Sequence, residues 1–287
     1  MLIGSHLSIA KGLDAACRNA GNYGFNCLGL FVRNQVQWKA PPLADGRVEG
    51  FRKARKASGI RTAVAHASYL VNLAGADGVR RKSIDAMVED LGRCGRLGVE
   101  YLVMHPGSNP DAGAGIEQIA RGIDEIFAKL ENRRVKLLLE TTAGQGNCLG
   151  WRFEQLAAIR AATKRARRVG ICLDTAHVFA AGYDIRTAAG WDQTLAELAE
   201  TVGLEHLLAI HLNDSKREFA CRVDRHEHLG RGQIGEEGLA AVVNDPRLQN
   251  VPFILETPKE TAEDGRDWDE VNLETIRRWR GLDEASS

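Results

Sequence analysis

Eight short runs rich in aliphatic and β-branched residues alternate with longer segments of helical period: residues 2–6, 26–31, 62–66, 101–105, 135–140, 169–174, 207–211 and 252–256. Strand–helix alternation repeated in this way requires parallel strands joined by right-handed crossovers. Eight such units close most naturally into a (β/α)8 TIM barrel. The intervening segments support this. Ile116, Ile119, Ile123, Ile126, Phe127 and Leu130 follow the three-and-four spacing of an amphipathic helix over 116–131. Val79, Ile84, Met87, Val88, Leu91 and Cys94 do the same before the fourth strand, and Val271, Leu273, Ile276 and Trp279 mark a last helix. No linker or composition shift interrupts the pattern. The expectation is one α/β domain over residues 1–282, with 283–287 a frayed tail.

Composition limits the function classes. The chain has 287 residues, enough to bury a large core, and 44% apolar with 26% charged residues argues against disorder. No apolar run approaches the ~18 residues of a membrane span, and the opening MLIGSHLSIAKG lacks the basic and apolar regions of a signal peptide. A cytoplasmic protein without membrane association is expected. Cys17, Cys27, Cys94, Cys148, Cys172 and Cys221 form no CxxC pair, so core packing is their expected role. Lys plus Arg and Asp plus Glu both number 38. A net charge of zero argues against indiscriminate nucleic-acid binding but leaves room for a local basic face. The basic clusters at 52–56 and 164–168 read first as solvated helix faces.

The strand ends carry the chemistry. Seven of the eight runs finish on a residue able to bind metal: His6, His66, His105, Glu140, Asp174, His211 and Glu256. In a TIM barrel these ends converge on one face, where active sites are built. A single histidine there is ordinarily a hydrogen-bonded structural residue. A ring of imidazoles and carboxylates is different, because buried unpaired carboxylates are costly without a compensating cation. Two spacings add to the ring. His177 follows Asp174 by three residues, and Asp224-Arg225-His226 places two ligand types on one side of an extended segment. The candidate ligands are His66, His105, Glu140, Asp174, His177, His211, Asp224, His226 and Glu256. Nine ligands exceed one tetrahedral ion and suit two or three metals sharing a carboxylate. Mixed imidazole and carboxylate ligands without thiolates suit catalytic Zn²⁺, with Mn²⁺ or Fe²⁺ as alternatives at one site. His228 is left over.

These segments resemble the endonuclease IV family of apurinic/apyrimidinic (AP) endonucleases. The resemblance is carried by GSHLSIAKG at Gly4, HASYLVNL at His66, HPGS at His105, ETTAGQG at Glu140, LDTAHVFAAGYD at Leu173, HLNDSK at His211, RVDRHEHLGRGQIG at Arg222 and LETP at Leu255. The pieces run in order nearly end to end. The resemblance implies three zinc ions. Glu140 would be shared between two of them, joined by His66 and His105 on one and by Asp174, His211 and Glu256 on the other. His177, Asp224 and His226 would hold the third. Glu140 and Glu256 would thus be catalytic, with His6 as an active-site neighbour. The implied reaction is hydrolysis of the phosphodiester 5′ to an abasic site in duplex DNA, by a monomer that requires no protein partner. Tyr69 and Leu70, just after His66, would sit at the mouth of the site and wedge into the duplex. The loop at 34–38, which includes Gln35 and Val36, would also reach DNA. Better-known members of the family carry arginine where this chain has Val36.

Two rival readings use the same residues. A sugar isomerase or epimerase on this barrel also places His and carboxylate ligands at strand ends, usually around fewer metals. A non-catalytic DNA-damage binder would be expected to have lost ligands.

The departure at Val36 yields a test. Valine cannot pair with a phosphate as a guanidinium does. Val36→Arg should tighten binding to AP-site duplex, mainly at low salt, and steepen the salt dependence by about one counterion. Turnover at saturating DNA should change little. A salt titration of binding checks this; unchanged affinity and slope would mean that the loop does not reach DNA.

Overall fold

The computed structural model describes residues 1–131 and 134–282. In chain order the elements are β1 (Leu2–His6), α1 (Leu13–Tyr23), β2 (Cys27–Phe31), α2 (Asp45–Ala57), β3 (Thr62–His66), α3 (Asp77–Leu97), β4 (Tyr101–Met104), α4 (Ala112–Ala128), β5 (Lys136–Glu140), α5 (Phe153–Ala162), β6 (Val169–Asp174), α6 (Thr175–Ala181), α7 (Ala188–Thr201), β7 (Leu207–His211), β8 (Asp214–Ser215), β9 (His226–Glu227), α8 (Gly235–Asn244), β10 (Pro252–Leu255) and α9 (Trp268–Trp279). Eight parallel strands close into a barrel in the order β1-β10-β7-β6-β5-β4-β3-β2. The short β8 and β9 pair antiparallel outside it. The expected (β/α)8 barrel is therefore the fold. No described helix is long and apolar enough to cross a membrane.

The barrel interior explains why the ligand-type residues meet. Cys27, Val64, Val103, Leu138, Cys172, Ala209 and Ile254 form one buried apolar layer across the barrel. Side chains alternate along a strand, so the residue two positions further on faces the same way. From Val64, Val103, Leu138, Cys172, Ala209 and Ile254 that step lands on His66, His105, Glu140, Asp174, His211 and Glu256. The polar ring thus rests on the apolar layer. Where the barrel is tightest, glycine is required. A Cβ at Gly4 would lie 2.3 Å from the Cys27 carbonyl oxygen, and one at Gly29 2.5 Å from the Ile254 side chain.

Some expected boundaries shift, each for a physical reason. β4 stops before His105, because Pro106 has no N–H with which to extend the ladder. β10 stops before Glu256, whose N–H goes instead to a side chain, Asn213 Oδ1, at 2.8 Å. α4 begins at Ala112 rather than 116, capped by Asp111, whose Oδ1 accepts the Ala114 N–H at 3.0 Å. It ends at Ala128, so Leu130 packs on the core from outside the helix. Val79 is exposed rather than part of the buried face of α3. The tail at 283–287 lies outside the described residues.

The basic clusters are not simply solvated faces. Arg55 donates to the carbonyls of Ile60, Gly98 and Arg61 and pairs with Glu100 at 2.6 Å. The 164–168 cluster is not on an α-helix: residues 166–168 form a 3-10 turn, and Arg168 lies over the Phe127 ring. Cys17, Cys27, Cys94 and Cys172 are buried free thiols, as core packing requires, and Cys148 and Cys221 are half-buried.

Helix α3 straps down the loop that follows β2. Arg33, buried, pairs with the buried Asp90 of α3, Nε to Oδ1 at 2.5 Å, and also donates to the Gln37 carbonyl. Arg93 reaches the Pro41 carbonyl and Arg96 the Leu43 carbonyl. Removing one member of a buried ion pair leaves the other charge uncompensated. Asp90→Ala should therefore destabilise the protein by about 3–5 kcal/mol, read as a lowered urea midpoint. An unchanged midpoint would show that Arg33 finds another partner.

Candidate metal centre

Glu140, at the end of β5, has no solvent exposure. It lies among four imidazoles. Its Oε2 is 3.0 Å from His66 Nε2 and 3.1 Å from His105 Nε2. Its Oε1 is 2.7 Å from His211 Nδ1 and 3.7 Å from His177 Nδ1. His211 Nδ1 is also 3.2 Å from Glu256 Oε2, while Glu256 Oε1 faces His6 Nδ1 at 2.9 Å. On the far side, Asp224 lies between two histidines. Its Oδ2 is 3.2 Å from His177 Nε2 and its Oδ1 3.3 Å from His226 Nε2, which is itself 3.5 Å from Asp174 Oδ2.

Among the described residues, four groups have ligand atoms close enough to share an ion: His66, His105 and Glu140; Glu140, Asp174, His211 and Glu256; Asp174, His177 and His226; and Glu140, Cys172 and His211. All nine expected ligands are thus brought together, with Asp224 beside the third group. His6 flanks them. His228 does not join; its ring stacks on Trp268 at 3.7 Å.

The histidine tautomers decide what this arrangement can hold. His66 Nδ1 lies 2.7 Å from the Ala67 carbonyl, His177 Nδ1 2.8 Å from the Thr141 carbonyl and His226 Nδ1 3.1 Å from the Glu256 carbonyl. A carbonyl oxygen only accepts, so each Nδ1 carries its proton. In the neutral rings the Nε2 lone pairs then face carboxylate oxygens, which also only accept. His177 Nε2 and His226 Nε2 are buried without a hydrogen-bond partner. Lone pairs facing lone pairs repel unless a cation, either a metal ion or a proton, sits between them. Backbone-bonded imidazoles aimed in this way are the usual outer support of metal sites, so the residues fit a cluster of divalent ions.

Without an ion, protons take that place. Burial alone would lower the pKa of His177, but Asp174, Asp224 and Glu140 outweigh it and hold the ring well above its ordinary value. His211, beside Cys172, Glu256 and Glu140, is likewise held well above despite burial, and His66, against Glu140, is held above. Burial would raise Glu140 and Glu256, but His211 and the neighbouring imidazoles hold both well below the usual carboxylate range. Burial would raise Asp224 too, but His177 and His226 depress it.

Two supporting residues escape a reading by residue type. Thr141 Oγ1 accepts the Asp174 N–H at 2.9 Å, while the Thr141 carbonyl orients His177. Cys172, in the layer below, lies close to both Glu140 and His211, and burial pushes its thiol up to about 12. A neutral thiol agrees with a ligand set without thiolates.

Apolar side chains rim the mouth. Val36 is 68% exposed, Tyr69 62% and Leu70 36%. The Tyr69 ring lies 5.5 Å from His66 and 6.2 Å from His105. Ser68 Oγ donates to the Gln35 carbonyl, so the loops carrying Val36 and Tyr69 are joined. Gly144, Gly146 and Gly230, in loops around the site, and Gly235, at the start of α8, have the positive φ of tight turns. Gly232 differs: a Cβ there would lie 2.4 Å from the Ser215 carbonyl oxygen, so close approach explains it.

Residues 17–280 match a family model described as a xylose isomerase-like TIM barrel. The chain is 43% identical over 277 residues to a probable endonuclease 4 of Chloroflexus aurantiacus, covering 96% of both proteins. It is 41% identical to one of Geotalea daltonii, again covering 96% of both. Among solved structures it is similar to endonuclease IV from Thermus thermophilus, with TM-score 0.88 and 40% identity over 99% of this chain and 100% of that one. A D-tagatose 3-epimerase-like protein has TM-score 0.72 at 17% identity over 98% of each chain, a likeness of fold alone.

Histidines held above their ordinary pKa bind extra protons near neutrality, and a metal must displace them. Zinc titrated into ion-free protein at pH 7 should therefore release protons, and zinc affinity should rise with pH. Calorimetry in two buffers of different ionisation enthalpy checks this. Heat independent of the buffer would contradict the assignment of His66, His177 and His211 as ligands.

Proposed function

The chain belongs to the endonuclease IV family, within the xylose isomerase-like TIM barrels, and on that footing we propose that it is a zinc-dependent AP endonuclease. It hydrolyses the DNA phosphodiester 5′ to an abasic site, leaving a 3′-hydroxyl and a 5′-deoxyribose phosphate. The observation that carries this reading is the set of buried histidine Nε2 lone pairs aimed at acceptor-only carboxylates, beside Glu140.

His66, His105 and Glu140 hold one ion; Glu140, Asp174, His211 and Glu256 a second; His177, Asp224 and His226 a third. Zn²⁺ suits this donor set, with Mn²⁺ or Fe²⁺ as alternatives at one position. Bound there, such ions neutralise phosphate charge, acidify water and stabilise a departing oxygen. The protein's own contribution is orientation. His6 Nδ1–H donates to Glu256 Oε1 at 2.9 Å and so turns Oε2 toward His211. Tyr69 and Leu70 stand at the mouth, where they fill the gap left when an abasic sugar leaves the stack; such flipping is least costly where no base is stacked. Val36 and the Gln35 backbone extend that surface on the adjoining loop. The enzyme acts in the cytoplasm as a monomer on duplex DNA.

The sugar-epimerase reading shares the barrel, but the third ligand group, with Asp224 and His226 from outside the barrel strands, is surplus to it. A damage-binding role without catalysis has no use for an intact set of nine ligands.

Labelled AP-site duplex tests the proposal. Wild-type protein should nick it 5′ to the lesion. Brief EDTA treatment should leave activity, since multi-ligand buried zinc leaves slowly, whereas prolonged exposure to a zinc-selective chelator should remove it. Glu140→Gln should lower cleavage by more than about 100-fold, because a shared ligand loses its charge. Full turnover and metal content in that variant, or immediate loss in EDTA with rescue by Mg²⁺ alone, would contradict the proposal.

A further inference from the structure

Asn213 lies two residues beyond His211 with no solvent exposure. Its side-chain amide spans two ligand-bearing strands. Nδ2 donates to Asp174 Oδ2 at 2.7 Å, and Oδ1 accepts the Glu256 N–H at 2.8 Å. The amide cannot be reversed: a carboxylate only accepts and a backbone N–H only donates. The Asn213 backbone is pinned in turn. Its N–H donates to Thr175 Oγ1 at 2.8 Å, and the same hydroxyl donates to its carbonyl at 2.6 Å. Thr175 is also fully buried.

The position of this amide matters because of what it touches. β10 and β7 are in register only at Phe253 with Ile210 and Ile254 with His211. The Leu212 N–H still reaches the Ile254 carbonyl at 2.9 Å, after which the ladder ends. Asn213 Oδ1 replaces the missing backbone acceptor and fixes how Glu256 leaves the strand. At its other end the amide holds Asp174, whose second oxygen, Oδ1, accepts the His177 N–H at 2.9 Å. Both Asp174 oxygens are thereby oriented. Asp174 belongs to two of the close ligand groups, and the oxygen held by Asn213 is the one 3.5 Å from His226.

We propose that Asn213 is a positioning residue for the ion held by Glu140, Asp174, His211 and Glu256. It fixes the Asp174 carboxylate and the Glu256 backbone together, so that two ligands from different strands converge on one point. The inference rests on the three-ion reading above and assigns one side chain to one of the three sites. Without the amide, Asp174 Oδ2 loses its donor, and the carboxylate is free to rotate out of the orientation in which it meets Glu140, His211 and Glu256. Outer-shell partners of this kind typically affect metal affinity by about 10- to 100-fold.

The test uses full-length wild type, Asn213→Ala and Asn213→Asp. Each is stripped of metal, then titrated with zinc against a competing chelator and, separately, with cobalt(II), whose visible absorption reports ligand geometry. Asn213→Asp is nearly isosteric and keeps an acceptor for the Glu256 N–H, but it offers Asp174 no donor. It therefore remains informative if the alanine variant folds poorly, as judged by circular dichroism. Wild type should take up three ions. Both variants should bind the ion of Glu140, Asp174, His211 and Glu256 about 10- to 100-fold more weakly, with the matching component of the cobalt spectrum altered, a smaller effect at the third group, which shares Asp174, and the His66, His105 and Glu140 site unchanged. Three sites of wild-type affinity in Asn213→Asp would overturn the proposal, and so would equal weakening of all three, which marks a merely structural role. In either case three ions in wild type would leave the functional reading standing. Failure of wild type itself to bind zinc would overturn that reading and this inference together.

Discussion

The structure depends on one buried carboxylate. Glu140 is sealed from solvent and has four imidazoles around its two oxygens, at 2.7 to 3.7 Å. An ionised carboxylate in that position is sustained only by positive charge and by donors aimed at it. The barrel supplies the geometry, because closing eight strands brings residues distant in sequence to one ring. The backbone supplies the chemistry. The carbonyls of Ala67, Thr141 and Glu256 occupy the Nδ1 protons of His66, His177 and His226, which leaves each Nε2 as an acceptor. Ordinary fold-stabilising hydrogen bonds thereby prepare the ring for cations, and removing any carbonyl–imidazole pair would change a tautomer as well as a contact.

Around this ring the chain divides its labour. Strand ends, or the positions just past them, supply six of the nine candidate ligands and α6 supplies His177, and rigid elements suit groups that must be held within tenths of an ångström. The remaining pair, Asp224 and His226, comes from the excursion that follows β8 and runs into β9. That segment takes left-handed backbone at two non-glycine residues, Ala220 (φ 57) and Arg222 (φ 55). Their N–H groups dock on the Phe179 and Ala180 carbonyls at the end of α6, 3.2 and 2.9 Å away. The strained turn is thus tied to the helix that carries His177, the other histidine of that side of the site. At the mouth, Val36 and Tyr69 sit on loops bound to each other through Ser68 and Gln35, and the first loop is clamped from behind by Arg33 and Asp90.

Much of this was legible in the sequence. The eight-fold strand–helix alternation identified the barrel, and the ligand-type residues at the strand ends, His66, His105, Glu140, Asp174, His211 and Glu256 among them, pointed to one face of it. What escaped was polarity that serves backbone geometry rather than ion binding. Asn213 continues the period-two series past His211, yet an asparagine beyond a strand reads as a turn residue. Thr141 is hidden behind Glu140 for the same reason. The start of α4 was masked by the small residues Gly113, Ala114 and Gly115, which carry no amphipathic signal. The basic cluster at 52–56 misled because Arg55 spends its guanidinium on carbonyls at strand entrances, a use that charge patterning does not reveal.

The central claim is that cations occupy the spaces between the Nε2 lone pairs and the buried carboxylates. Anomalous diffraction at the zinc edge, on crystals of protein purified without chelator, measures this directly. Three peaks are predicted: one between His66, His105 and Glu140, one between Glu140, Asp174, His211 and Glu256, and one between His177, Asp224 and His226. Crystals with no peak in the ring, or with a single ion bound elsewhere on the barrel, would contradict the account.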